Sequence, residues 1–164
     1  LCHLDRTLDW TQQQLAKRYG HEPLPLSAEQ RRTSAALLWL LKGHAAQRAI
    51  AAWHAGWQPA LDASGGGWLA PHLARLLDDP YGVVRHIANE SLKQQPGFGT
   101  FEFDFIAPES ERARLAKRAI AQWNDLPGDA TGDAVLIDPD RQLMETGIQA
   151  LLKNRDDRPV TIKE

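Results

Sequence analysis

Cys2 and His3 stand side by side at the start of this chain, and a Cys-His pair is the second half of C-x-x-C-H. In that motif two thiols add to the vinyl groups of a haem, and the histidine becomes the proximal ligand of its iron. The first thiol would stand two residues before Leu1. On this reading Cys2 attaches haem c and His3 is the metal ligand, provided that an upstream cysteine completes the motif. The 164 residues by themselves are expected to hold no cofactor.

Other residues invite chemistry and decline it on inspection. Gly65, Gly66 and Gly67 suggest a phosphate loop, but no strand precedes them and no Lys-Ser or Lys-Thr follows. Asp138-Pro139-Asp140 suggests a calcium loop, yet the sixth position is Leu143, where the sharp turn wants glycine. The twelfth is Gln149, where a bidentate Glu belongs. The histidines are scattered, and none forms H-x-x-x-H with a nearby carboxylate. His21, His44, His54, His72 and His86 therefore read as surface or satisfied helix residues. His21, on the connection nearest Cys2 and His3, is the one candidate for a distal iron ligand. No catalytic set emerges, and the chain is not expected to be an enzyme.

The elements that would position Cys2 and His3 are helical, and residues 68–92 organise them. Leu69, Leu73, Leu76 and Leu77 fall at i, i+4, i+7 and i+8, and Val84, Ile87, Ala88 and Ser91 follow the helical period after them. Asp78, Asp79 and Pro80 separate the two stripes. Asp79 is placed to cap the second helix and Pro80 to open it, so a helical hairpin is predicted. One hairpin cannot bury both stripes and needs neighbours. Arg85-His86-Ile87-Ala88 is echoed by Arg48-Ala49-Ile50-Ala51 and Arg118-Ala119-Ile120-Ala121, at offsets of 37 and 33 residues, and Trp53 and Trp123 each follow the arginine by five. Such offsets suit a two-helix repeat unit.

An apolar helix, then Asp-Pro, then x-V-R-x-x-A-x-x-x-L, as in residues 73–92, resembles a HEAT or HEAT-like repeat. That resemblance implies an all-α fold, a short HEAT-like α-solenoid of about two helical hairpins plus flanking helices. It also implies that Asp78 or Asp79, with Arg48, Arg85 and Arg118, are scaffold residues joining successive repeats at their turns. The opening L-C-H-L-D-x-T-L-x-W, residues 1–10, resembles the last haem-attachment segment of bacterial multihaem c-type cytochromes that carry a helical repeat domain after the haem region. That second resemblance implies a C-terminal domain of a larger periplasmic electron-transfer protein.

Three regions are expected. Residues 1–26 form an N-terminal helix over 4–19, ended by Gly20, and a Pro-rich connection that would close an upstream haem domain. Residues 27–124 form the repeats. Ser27 and Gln30 make a capping box for a helix over 28–42, and a second helix over 45–57 carries Ala46, Ile50, Trp53 and Trp57 on a buried stripe. Residues 58–67 read as a loop. Phe101, Phe103 and Phe105 alternate with polar residues in an extended Phe-rich segment laid on the stack. A helix over 108–124 turns Arg112, Lys117 and Arg118 outward. Residues 125–164 supply a loop, a last helix from Asp138 to about Lys153, and a charged surface tail over 155–164.

Composition bounds the rest. With 43% hydrophobic residues there is enough apolar material for one core, and the formal charge of -2 gives no reason to expect nucleic acid as a partner. No apolar run is long enough to span a bilayer, and no signal segment opens the chain. One cysteine excludes an internal disulfide. A scaffold that docks a protein partner or its own upstream haem domain fits these bounds. The alternative class, a HEAT-like DNA glycosylase, would need basic and aromatic residues gathered on one concave face.

Overall fold

The computed structural model describes residues 2–159. The last part of the expected charged tail, residues 160–164, lies outside the described residues. The chain is helical, with helices over 59% of the described residues and no strand among them. In order these are α1 (Leu8–Tyr19), α2 (Ala28–Arg32), α3 (Ala35–Leu37), α4 (Ala45–Ala55), α5 (Gln58–Ser64), α6 (Ala70–Arg75), α7 (Gly82–Lys93), α8 (Glu109–Asp125) and α9 (Glu145–Lys153). A π-helical turn at Leu38–Lys42 continues α3, and a 3-10 turn at Leu76–Asp78 continues α6.

The hairpin of residues 68–92 is the centre of the molecule. Leu69, Leu73, Leu76 and Leu77 are all buried, as are Val84, Ala88, Ser91 and Leu92 on α7. α7 packs against α4. Arg48 near the start of α4 meets Asp79 just before α7, and Gly56 after α4 meets Ser91 near the end of α7, so the two helices run parallel. Ala51, Ala52 and Ala55 give α4 a low surface that lets α7 approach. A Cβ on Gly56 would stand 2.8 Å from the Ser91 Cα, a distance no side chain tolerates. Behind this pair α6 packs against α8. Arg112 lies beside Asp78 and Trp123 beside Gly67, so α8 runs antiparallel to α6 and does not extend the α4–α7 row.

Several local expectations give way to longer-range contacts. The helix expected over 28–42 is broken at Thr33 and Ser34. The Ser34 N–H donates to the Ala134 carbonyl at 2.8 Å and the Ala35 N–H to the Arg6 carbonyl at 2.9 Å, which removes the donors a continuous helix would need. Residues 58–67 are not all loop: Pro59 sits in the first turn of α5, where its missing N–H has no helical partner to lose. The Ser27 and Gln30 capping box is present, and Gly20 ends α1 at φ 67°.

Asp79 does not cap α7 through the helix itself. Its Oδ1 accepts the Tyr81 N–H at 2.9 Å, and the helix begins at Gly82. Asp138 likewise closes a turn with Gln142, and the last helix starts seven residues later than expected, at Glu145. In the 100–106 segment Phe101 is buried beside Phe98, while Phe105 is 38% exposed and packs on His86.

Candidate functional site

The chemistry expected from the sequence falls on Cys2 and His3, and the fold fixes where that pair stands. Leu4 is wholly buried in the core. Arg6 is tied to Ala35 through its carbonyl, and Thr7 both bridges to Ser34 and accepts the Trp10 N–H on its Oγ1 at 3.2 Å, capping α1. A short segment pinned at Leu4, Arg6 and Thr7 leaves Cys2 and His3 outside, both exposed. The His3 ring lies edge-on to Trp10 at 5.1 Å, and the Arg6 guanidinium stands 5.7 Å from the same indole. The Cys2 thiol is free.

His21 is not brought to this pair. It packs against Tyr19 at the other end of α1, and twelve residues of helix span about 18 Å. α1 itself buries no residue, and Leu15 and Tyr19 on it, like Leu24 beyond it, are exposed.

Arg48, Arg85 and Arg118, expected as scaffold residues, have different surroundings. Arg48 is fully buried: Nε makes an ion contact of 2.7 Å with Asp79 Oδ2, Nη2 donates to Asp79 Oδ1 at 3.1 Å, and Nη1 donates to the Gly43 carbonyl at 2.7 Å. Asp79 is buried with it. Arg85 donates instead to carbonyls, those of Asp79 at 2.7 Å, Pro80 at 3.0 Å and Phe105 at 2.7 Å. Asp78 lies 3.5 Å from Arg112 on α8. Arg118 does not join this network; it is exposed, with its guanidinium 5.8 Å from the Phe101 ring.

Residues 155–158, expected on the surface, close over the same network. The Arg48 Nη1 donates to the Asp156 carbonyl at 3.1 Å, Nη2 reaches Asp157 Oδ1 at 3.2 Å, and the Asp156 N–H donates to the Lys42 carbonyl at 3.0 Å. Arg158 hydrogen-bonds the Asp156 carboxyl and holds it well below the usual carboxylate range.

The stripe expected to bury Trp53 and Trp57 faces outward. Trp53 is 54% exposed and Trp57 38%, the two rings stacked at 6.1 Å with His54 edge-on to both. Helical spacing alone does not distinguish a buried face from an exposed one.

Two polar groups buried or half-buried in the fold were not singled out by the sequence. His72 is wholly buried; its Nε2 bonds the Val135 carbonyl at 2.9 Å and its Nδ1 has no partner. Burial, with Arg75 nearby, lowers its pKa to about 3, so the ring is neutral and Nε2 carries the hydrogen. Arg141, at φ 60°, lies over Trp123.

Among the described residues no cluster of three or more His, Cys, Asp or Glu is placed to hold a metal ion, and no helix is long and apolar enough to cross a membrane. Comparisons with protein-family models, curated proteins and solved structures give no match. What the fold defines is therefore an all-helical domain with an outward Cys-His pair at its edge.

Proposed function

We propose that this chain is a non-enzymatic, HEAT-like scaffold domain that carries the last haem-attachment segment of a multihaem c-type cytochrome, with electron transfer the role of the whole protein. The observation that carries the reading is the placement of Cys2 and His3: they are exposed, while Leu4, Arg6 and Thr7 lock the backbone beside them to the helical body. A thiol and an imidazole that must accept a bulky group need to be outside the core. A haem that must keep a fixed distance from its neighbours needs a rigid mount. Cys2 would hold the group through a thioether and His3 through its ring nitrogen, and the bound haem would supply a one-electron iron centre. Trp10 would bear on the orientation of the His3 ring.

The repeat part of the reading is supported by Arg48 and Asp79. They belong to successive helical hairpins and meet at the turn, as the resemblance implies for a HEAT-like pair. A periplasmic location, and an upstream haem domain as the partner, follow from the same reading.

The test is to extend the chain upstream and express it with c-type maturation. A cysteine three positions before Cys2, and a Soret band that stays with the denatured polypeptide, are expected. Cys2→Ala together with His3→Ala should remove one haem equivalent and leave the helical content intact. No cysteine at that upstream position, with no covalent haem, overturns the proposal.

A further inference from the structure

Two of the three glycines that fail as a phosphate loop, Gly66 and Gly67, border a hollow of about 370 Å³. It is formed where Gly66 and Gly67 face the 127–130 loop, with Trp123 and Arg141 between them. We propose that this hollow binds a small monocarboxylate with an apolar body, the Arg141 guanidinium taking the carboxylate.

The argument begins with Trp123. Its indole is buried, and its Nε1–H donates to the Gly67 carbonyl at 2.5 Å, which fixes the plane of the ring. The Arg141 guanidinium lies 4.2 Å from the centre of that ring. Cation–π contact of this kind holds the planar fork in one orientation before any ligand arrives. Nη2 donates to the Trp123 carbonyl at 3.0 Å, but Nε is buried with no partner. Arg141 takes part in none of the salt bridges found among the described residues. Arg48, the other arginine held this firmly, is paired with Asp79 and Asp157. Gly128 covers Nε, so the donor left to an anion is Nη1, which makes no hydrogen bond or ion pair among the described residues.

The backbone at Arg141 points the same way. A turn closes between Asp138 and Gln142, with the Asp138 N–H donating to the Gln142 carbonyl at 2.9 Å and the Arg141 N–H to the Asp138 carbonyl at 3.0 Å. Arg141 sits in that turn at φ 60°, a conformation unfavourable for a residue with a Cβ and retained where the surroundings fix it. The result sets the guanidinium between the Trp123 ring and the bare backbone of Gly128, where a Cβ would stand 3.3 Å from Arg141 Nε. Gly97, at φ 81°, forms another wall; a Cβ there would collide with the Leu126 methyl at 2.5 Å.

The walls select the ligand. Ala70, Pro96, Leu126, Pro127 and Ala130 present carbon, so the body of the ligand is apolar. Arg141 is the single cation in the lining and Asp129 the single carboxylate, so a ligand with one negative charge, held at the Arg141 end, meets less repulsion than the two charges of a phosphate monoester. A volume at the low end for ligand pockets limits the ligand to about the size of an aromatic acid.

The probe is phenylacetate, titrated into the 164-residue chain while the Trp123 Nε1–H and Arg141 Nε–H signals are followed by NMR. Both should shift and saturate, and 2-phenylethanol, the uncharged match, should bind at least tenfold more weakly. Gly66 has room for a side chain, since a Cβ there meets only Pro96 Cδ at 4.0 Å. Gly66→Leu should therefore plug the hollow and abolish the shifts while leaving the thermal midpoint near that of the parent. Arg141→Gln should weaken binding at least tenfold; if that variant fails to fold, the Gly66→Leu arm decides. Absence of saturable shifts, equal affinity for the alcohol, tighter binding of inorganic phosphate at the same signals, or binding that survives Gly66→Leu each overturns the proposal.

Discussion

Arg48 on α4 and Asp79 before α7 meet through two contacts, of 2.7 and 3.1 Å, with neither side chain exposed to solvent. The pair links the two parallel helices at one end, as the close approach of Gly56 to Ser91 does at the other. Losing Arg48 leaves Asp79 buried with only Arg155 at 3.8 Å, and losing Asp79 leaves Arg48 buried with only Asp157 at 3.2 Å as its carboxylate partner, which costs about 3–5 kcal/mol. Arg48→Met and Asp79→Leu should each lower the unfolding free energy by roughly that amount in urea denaturation. The double variant should recover much of the loss, because two apolar side chains leave no buried charge. Strictly additive losses would show that the two residues act independently.

The hairpin around this pair was legible in the sequence because its apolar positions keep helical period and its punctuation is Asp-Pro. The partner of Asp79 was less so: Arg85 is six residues away and looks the natural choice, yet it bonds carbonyls while Arg48 takes the carboxylate. Residues 28–42 read as one helix since nothing local announces that the Ala134 and Arg6 carbonyls will capture the Ser34 and Ala35 donors. Cys2 and His3 could be singled out by type, but their outward position depends on the burial of Leu4. Arg141 and His72 carried no signal, one lying in a loop and the other among apolar residues that hide a histidine equally well inside or outside.

Residues 155–157 act as a strap over Arg48. Asp156 supplies a carbonyl to Nη1 and Asp157 a carboxylate to Nη2, while Arg155 stands 3.8 Å from Asp79. A chain ending at Lys153 leaves those guanidinium donors with fewer partners, at a cost of about 1–3 kcal/mol. Its urea midpoint should fall with little change in the steepness of the transition. An unchanged midpoint would mean that water replaces the strap without loss.

The tryptophans divide by exposure. Trp123 is buried and anchors Gly67, so Trp123→Ala should lower stability by about 3–5 kcal/mol. Trp53→Ala and Trp57→Ala remove half-solvated rings and should cost no more than about 1 kcal/mol each. Thermal denaturation of the three variants separates the groups. A large loss at Trp57 would imply that the α4 face is covered in solution.

His72 gives the fold a dependence on acid whose sign follows from its burial. In the folded chain its pKa is lowered to about 3 from an ordinary value of 6.5, first by desolvation, with the Val135 bond opposing and Arg75 adding to the effect. The unfolded chain therefore binds the proton more readily. The stability contributed by the neutral ring is complete above about pH 6.5 and is lost as the pH falls towards 3. Between pH 7 and pH 5 the loss is about 2 kcal/mol, from 1.36 kcal/mol per unit of pKa difference. His72→Gln keeps a donor for the Val135 carbonyl and does not titrate, so its unfolding free energy should fall less steeply over that range. Subtracting the two curves cancels the carboxylates common to both chains. If the parent and His72→Gln lose stability in parallel, the buried ring is not what makes the fold sensitive to acid in this window.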